Sequence, residues 1–363
     1  MIPYWVLFAY FAVGVLLNPW RTAPGERGPR TYLLIGIVLM TLMVGTRFDV
    51  GGDWRSYQFM FGFVEHMSFE RALKYGDPGY QALNWIVQQW KGEIWWVNLF
   101  SAAIFAWGLT RLCQNQPLPL LAVLVAVPYL IIVVAMGYTR QSIAIGILMA
   151  GLASLGRGGS VVRFAIYVAA AALFHKTAVM VLPLVIFACE RNRLLNVIAG
   201  AAAFFLFFDL FLADSTDQFV KNYIDSRYAS QGAWIRVMLV LVPAAILLAK
   251  RGQLGLAAQE ENVWRYIAIT ACAMPLILIA TPSSTAVDRM ALYLLPLQIV
   301  VLSRVHLLFR KPGTGVMAII FYSFLVQFVW LNFAQHAKLW IPYRSFMIET
   351  DTANRKGADN DTD

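Results

Sequence analysis

A dozen apolar stretches follow one another along this chain of 363 residues, and they leave it few folds. They fall at 3–18, 31–46, 94–110, 118–136, 140–155, 161–174, 176–189, 194–212, 234–250, 262–280, 289–308 and 314–334. Inside a bilayer no water is present to pair backbone amides, so a spanning segment must be a helix or part of a closed barrel. A spanning helix needs about 20 residues, and most of these stretches reach that length with their flanks. Composition agrees: 60% of the residues are hydrophobic and 13% charged, against about one quarter charged in soluble domains. The expected class is an all-α polytopic membrane protein of about 12 transmembrane helices. Residues 1–334 would form one transmembrane domain. The first stretch lacks a basic leader and a small-residue cleavage site at Asn18-Pro19, so it reads as a true first span. Cys113, Cys189 and Cys272 are isolated, lack metal-ligand spacing and read as small apolar packing residues.

The net charge of +9 does not point to nucleic acid, because the basic residues are spread over short loops between spans. Arg21, Arg27 and Arg30 follow the first stretch, Arg111 the third, Arg157 and Arg163 the fifth. Arg191 and Arg193 follow the seventh, Lys250 and Arg251 the ninth, Arg304, Arg310 and Lys311 the eleventh. By the positive-inside rule these odd-numbered exits are cytoplasmic, and the even-numbered exits and both termini face outward. The alternation requires the short pair 161–174 and 176–189 to be two arms with an outward turn at "FHKTA". Fourteen residues rise only about 21 Å, less than the roughly 30 Å apolar layer, so that turn is expected below the outer surface.

The outward loops gather the unusual residues. The first, 47–93, is long, and is expected to be extended and partly helical, with helices at the interface. It holds "RFDVGGDWRSY", then "YGDPGY", then "YQALNWIVQQW", whose apolar spacing suits an interfacial helix opened by Asp77-Pro78-Gly79. The glycine pair at 51–52 lets the chain turn, with Asp53 capping the segment after it. Later outward turns carry Arg140, His175-Lys176, Arg227 with Tyr228, and Asp288-Arg289. Arginines inside are expected from topology alone; arginines outside need another reason. A guanidinium stays charged and binds phosphate bidentately, so several around one outward cavity favour a phosphate ligand.

Each residue also has a plainer reading. Arg47 could snorkel and pair with Asp49 or Asp53, and Arg140 could anchor a span end. His175 could bond a carbonyl in its turn, Arg289 could pair with Asp288, Lys176 could snorkel, and Arg227 could be structural. No zinc motif, Walker loop, dinucleotide fingerprint or nucleophile elbow occurs. Residues 335–363 read as a polar tail, expected to be disordered beyond about Thr350.

In order, "RFDVGGDWRSY" (47–57), "DPGY" (77–80), "RQSIA" (from Arg140), "HKTAVMVLP" (from His175) and "DRMALY" (288–293) resemble the EpsG family of Wzy-like polysaccharide polymerases. The family usually has glutamate where Asp77 stands. The resemblance implies a GT-C-like glycosyltransferase in the bacterial inner membrane that joins exopolysaccharide or O-antigen repeat units on the periplasmic face. Donor and acceptor would be undecaprenyl-pyrophosphate-linked oligosaccharides, with no cofactor, metal or nucleic acid, and a chain-length regulator as a further partner. In that reading Arg47, Arg140 and Arg289 bind the donor pyrophosphate, and His175 or Asp53 takes the acceptor proton. Asp77 and Tyr80 shape the acceptor groove, with Tyr57, Arg227 and Tyr293 as further substrate contacts. A ligase, a polyprenyl-phosphate-sugar transferase, a membrane acyltransferase using His175 and a flippase of lipid-linked sugars are the rival readings.

Overall fold

The computed structural model describes residues 1–18, 30–184, 232–281 and 284–348, with scattered helical positions from 194 to 209. Among these residues the chain is helical, and strand pairing is limited to one bridge, Arg47 with Ser345. The first expected spans form as α1 (Ile2–Leu17) and α2 (Arg30–Gly45). The long loop contains three helices, α3 (Trp54–Phe63), α4 (Phe69–Lys74) and α5 (Pro78–Gln89). Then come α6 (Ile94–Cys113), α7 (Pro119–Ala126), α8 (Thr139–Gly156) and α9 (Val161–Ala172). The later helices are α10 (Ala233–Ala249), α11 (Ala258–Ala280), α12 (Ser284–Ala291), α13 (Pro296–Leu302) and α14 (Pro312–Phe333).

Three of these, α6, α11 and α14, are long and apolar enough to cross a membrane on their own, and several shorter helices are also apolar. The protein is therefore a multi-pass membrane protein, helical throughout the described residues. The stretch expected at 289–308 is not one helix: short helical pieces meet at Pro296, which has no amide hydrogen to continue a ladder. The second arm expected at 176–189 opens as a 3-10 turn, Lys176–Val181, and residues 185–189 lie outside the described residues. Most of 194–212 lies outside them as well.

Burial separates a centre from a rim. Every residue from Leu120 to Met136 is buried, and almost all of α8 is. By contrast α1, α2 and α14 each expose large apolar side chains, such as Val6, Val38 and Phe321, the surface expected to meet lipid. Helices α6 and α8 cross so closely that a Cβ on Gly108 would fall 1.7 Å from the Gly146 carbonyl oxygen. Only glycine permits that approach.

The central helix changes character at Pro128. From Val127 to Ala135 it runs as a π-helix, a form that recurs at functional sites. Its Ile132 carbonyl accepts a hydrogen bond from Trp340 Nε1 at 2.8 Å. That tryptophan belongs to residues 335–348, which the sequence assigns to a polar tail. They fold back on the 46–51 loop: Phe48 N donates to the Arg344 carbonyl, Phe346 N to the Thr46 carbonyl and Gly51 N to the Leu339 carbonyl. Residues 349–363 lie outside the described residues. Gly51 sits at φ +111°, and a side chain there would strike the Met136 carbonyl oxygen. The turn expected at the glycine pair thus presses the loop onto the end of the π segment.

Candidate active site at the convergence of helix ends

Segments far apart in sequence bring their ends together around the mouth of α8. Arg140 lies in the first turn of α8, and its Nη1 donates to Asp77 Oδ2 at 2.7 Å. Asp77 stands at the N-cap of α5 but makes no capping bond. Its second oxygen accepts from the Lys176 amide at 3.3 Å, in the turn after α9. Asp53 repeats the pattern: it stands at the N-cap of α3, caps nothing, and accepts from Arg289 Nη2 at 3.3 Å. The expected cap at Asp53 is therefore an ion pair with α12. An N-cap carboxylate normally satisfies its own helix. Here both turn away from their helices to reach guanidiniums.

The two arginines share a neighbourhood. Arg289 lies over the ring of Tyr138, with Cζ 4.1 Å from the centroid, and Tyr138 is the N-cap residue of the helix that carries Arg140. Gln141 in the same turn donates to the Arg289 carbonyl at 2.7 Å. Both guanidiniums remain partly exposed, with side-chain exposures of 34% for Arg140 and 24% for Arg289. Tyr57, on α3, is buried among Asp53, Arg140 and Arg289, and stacks at a tilt on Tyr80, 5.6 Å away. Burial first, then Asp53, pushes the Tyr57 phenol up, so it stays a neutral donor. Arg140 Nε and the Tyr80 hydroxyl are buried and have no hydrogen-bond partner among the described residues. Buried polar groups are seldom left so, which gives the cluster donors for a ligand.

His175 sits half-buried in the turn after α9, the "FHKTA" segment. Its Nδ1 is 3.1 Å from Thr177 Oγ1, which is 3.0 Å from the Tyr293 hydroxyl. Its ring meets that of Tyr293 edge-on. Burial first, then the nearby charges of Arg140 and Arg289, keep the imidazole well below its usual 6.5, so it is neutral at pH 7. If Nδ1–H donates to Thr177, and Thr177 to Tyr293, then Nε2 is left with its lone pair, the form a general base requires.

Arg47 occupies a different place from its partners. It is 1% exposed, and its guanidinium donates to the Val44 carbonyl at 2.6 Å, Thr139 Oγ1 at 2.7 Å and Asn98 Oδ1 at 3.1 Å. Burial pulls it down to about 10, which leaves it charged at neutral pH. It ties α2, α6 and the first residue of α8 together beneath Arg140. Arg227 lies outside the described residues.

Sequence reading missed Arg236. It lies on α10, is buried, and pairs with Asp288; its Nε contacts the hydroxyl of Tyr129 in the π segment. Its Nη2 reaches the Tyr138 hydroxyl at 3.3 Å. Tyr138 thus lies between two guanidiniums. The only signal available in sequence was an arginine near the start of an apolar stretch, where charge is costly and marks function. Thr177 lay inside the "HKTAVMVLP" motif without a role of its own, and Tyr138 carried no separate signal. Four arginines here meet three aspartates, Asp53, Asp77 and Asp288, so the cluster favours an anion. No group of three or more His, Cys, Asp or Glu residues that could hold a metal occurs among the described residues.

A family model described as the EpsG family matches residues 30–345. The match takes in every element of this cluster and runs on through the segment that carries Trp340 and Ser345. No curated protein and no solved structure matches the chain.

Proposed function

The chain belongs to the EpsG family, a family of Wzy-like polymerases, and on that premise we propose that it polymerises lipid-linked oligosaccharide repeat units. The reaction would take place on the periplasmic side of the bacterial inner membrane, where the positive-inside rule puts the Arg140 end of the bundle. Donor and acceptor would be glycans on undecaprenyl pyrophosphate. The observation that carries this reading is the meeting of Arg140 and Arg289 beside a neutral His175, all drawn from separate segments.

Arg140 and Arg289 would grip the donor pyrophosphate, releasing Asp77 and Asp53 in part as the anion enters. Their charge would grow more favourable as negative charge develops on the leaving group. The acceptor hydroxyl oxygen would bond to the anomeric carbon while the bond from that carbon to the pyrophosphate oxygen breaks. The electron pair would leave with undecaprenyl pyrophosphate, and the hydroxyl proton would pass to His175 Nε2. A single displacement inverts the anomeric centre. Arg47, already engaged by protein acceptors, would position Thr139 and with it Arg140. Tyr57, Tyr80 and Tyr293 would line the acceptor side.

Purified protein mixed with lipid-linked repeat units tests the reading. Longer glycans on one lipid mean polymerase. Transfer of a whole glycan to a different acceptor means ligase, and unchanged glycans mean a flippase or transporter. Normal chain lengths from both Arg140→Ala and His175→Ala variants would remove these residues from the mechanism.

A further inference from the structure

The far end of α8 carries a second arginine cluster that the proposed reaction does not use. Arg111 lies in the last turn of α6, Arg157 follows α8, and Arg163 lies in the first turn of α9. They line one polar recess of about 440 Å³ together with Ser154 and the turn at 158–159. Two other arginines at this end of the bundle have carboxylate partners: Arg251 pairs with Glu261 and Arg304 with Glu260. Arg111, Arg157 and Arg163 form no ion pair among the described residues.

The recess is continuous with a second, larger cavity. Trp107, Arg163 and Tyr167 line both. From them an apolar groove of about 890 Å³ runs between α6 and α9, past Ile166, Ala170 and Phe100 to Leu83 on α5. Its sides are open, with Ile166 64% and Trp107 41% exposed. Trp107 and Tyr167 stack at the junction, and Arg111 Cζ lies 5.9 Å from the Trp107 ring centre. Aromatic rings at this level suit the boundary between headgroups and acyl chains.

We infer that this recess and groove hold one anionic phospholipid, its phosphate among Arg111, Arg157 and Arg163 and its acyl chains along α6 and α9. Topology alone explains basic residues scattered over loops, but not three guanidiniums, none ion-paired among the described residues, lining one recess at the end of an apolar channel. Basic pockets between transmembrane helices are known sites for anionic headgroups, and guanidinium suits phosphate. Arg140 and Arg157 are separated by α8, about 26 Å at 1.5 Å per residue, close to the thickness of the apolar layer. The lipid's headgroup would therefore sit at the face opposite the proposed pyrophosphate site, which excludes the donor's headgroup as its occupant. By bracing α6 against α9, it would hold the scaffold that carries Arg140 and His175 at its other end.

The test is native mass spectrometry of the full-length protein in mixed nanodiscs of phosphatidylglycerol and phosphatidylethanolamine. One phosphatidylglycerol should be retained, with a preference on the order of tenfold. The Arg111→Gln/Arg157→Gln/Arg163→Gln variant should lose that preference. Ile166→Trp, which fills the groove and keeps all three arginines, should lose it too and covers the case in which the triple variant does not fold. Arg140→Gln should retain it, so the lipid site stands or falls apart from the polymerase reading. Equal retention of both lipids by wild type would overturn the inference, as would an unchanged preference in a folded triple variant or in Ile166→Trp. Displacement by millimolar inorganic phosphate would mark a free-phosphate site, and preferential retention of undecaprenyl phosphate an isoprenoid groove; either overturns it.

Discussion

Asp77 and Arg140 stand 63 residues apart in sequence, and their side chains meet at 2.7 Å. The carboxylate sits at a helix N-cap and leaves its own helix uncapped to reach the guanidinium. Local stability would favour the cap, so the pairing serves the arrangement of α5 against α8. Asp77→Asn should leave the protein folded, because the amide can still accept from Arg140, but should loosen the guanidinium. Polymer formation by purified protein is expected to fall about tenfold, a little over 1 kcal/mol, near the worth of one charge-assisted bond. Arg140→Lys, which keeps the charge and loses the fork, should cost about 10²-fold, the scale of a lost transition-state donor. Full activity in the lysine variant would show that bidentate geometry is irrelevant.

The pH profile of transfer should be set by His175. Arg140 and Arg289 disfavour the imidazolium, as does burial, so the neutral ring persists to lower pH than in an ordinary histidine. A base must be neutral, so the acid limb of the rate should lie below 6.5, with no further histidine step between pH 7 and 8. Replacing Arg289 by Gln removes one repelling charge and should move the limb upward. A wild-type limb above pH 7 would contradict the assignment of His175 as base.

Thr177 is expected to act through His175. Thr177→Val removes the oxygen that orients Nδ1 and leaves the ring free to change tautomer. The turnover number should drop about five- to tenfold, from loss of a bond worth about 1 kcal/mol, while KM stays near wild type. Thr177→Ser should recover most of it. A KM effect without a kcat effect would mean that Thr177 touches substrate instead.

Gly108 tests the packing that sets the site's frame. With the Gly146 carbonyl oxygen 1.7 Å from a built Cβ, Gly108→Ala must push α6 and α8 apart. The expected loss is about 1–3 kcal/mol, the scale of an overpacked core, read as a lower thermal transition in detergent. A transition equal to wild type would mean that the two helices can part at no cost.

Trp340 tests the returning segment. Trp340→Phe keeps most of the ring volume and deletes the hydrogen bond to Ile132 in the π-helix. Stability should fall by about 1 kcal/mol, with activity reduced more than the lost folded fraction accounts for. Activity that tracks the folded fraction alone would separate the tail from the site.

The membrane class was legible in the sequence because apolar length is a local property: about 20 residues either can or cannot cross a bilayer. Stretches such as 94–110 and 314–334 formed helices within a few residues of their expected ends. The glycine turn at 51–52 and the helix after Asp77-Pro78-Gly79 were legible for the same reason, since turn chemistry acts over a few bonds. Sequence also nominated His175, Arg140 and Arg289, because charge at membrane depth is conspicuous. It had no means of ranking Arg47 against Arg140. Both are arginines at a span end; only packing engages the first with three protein acceptors and leaves the second partly open. Nor could it find Tyr138 between two guanidiniums, or draw residues 335–348 back onto the 46–51 loop. Those outcomes depend on which helix ends meet. Contacts across hundreds of residues decide that, and no local pattern records them.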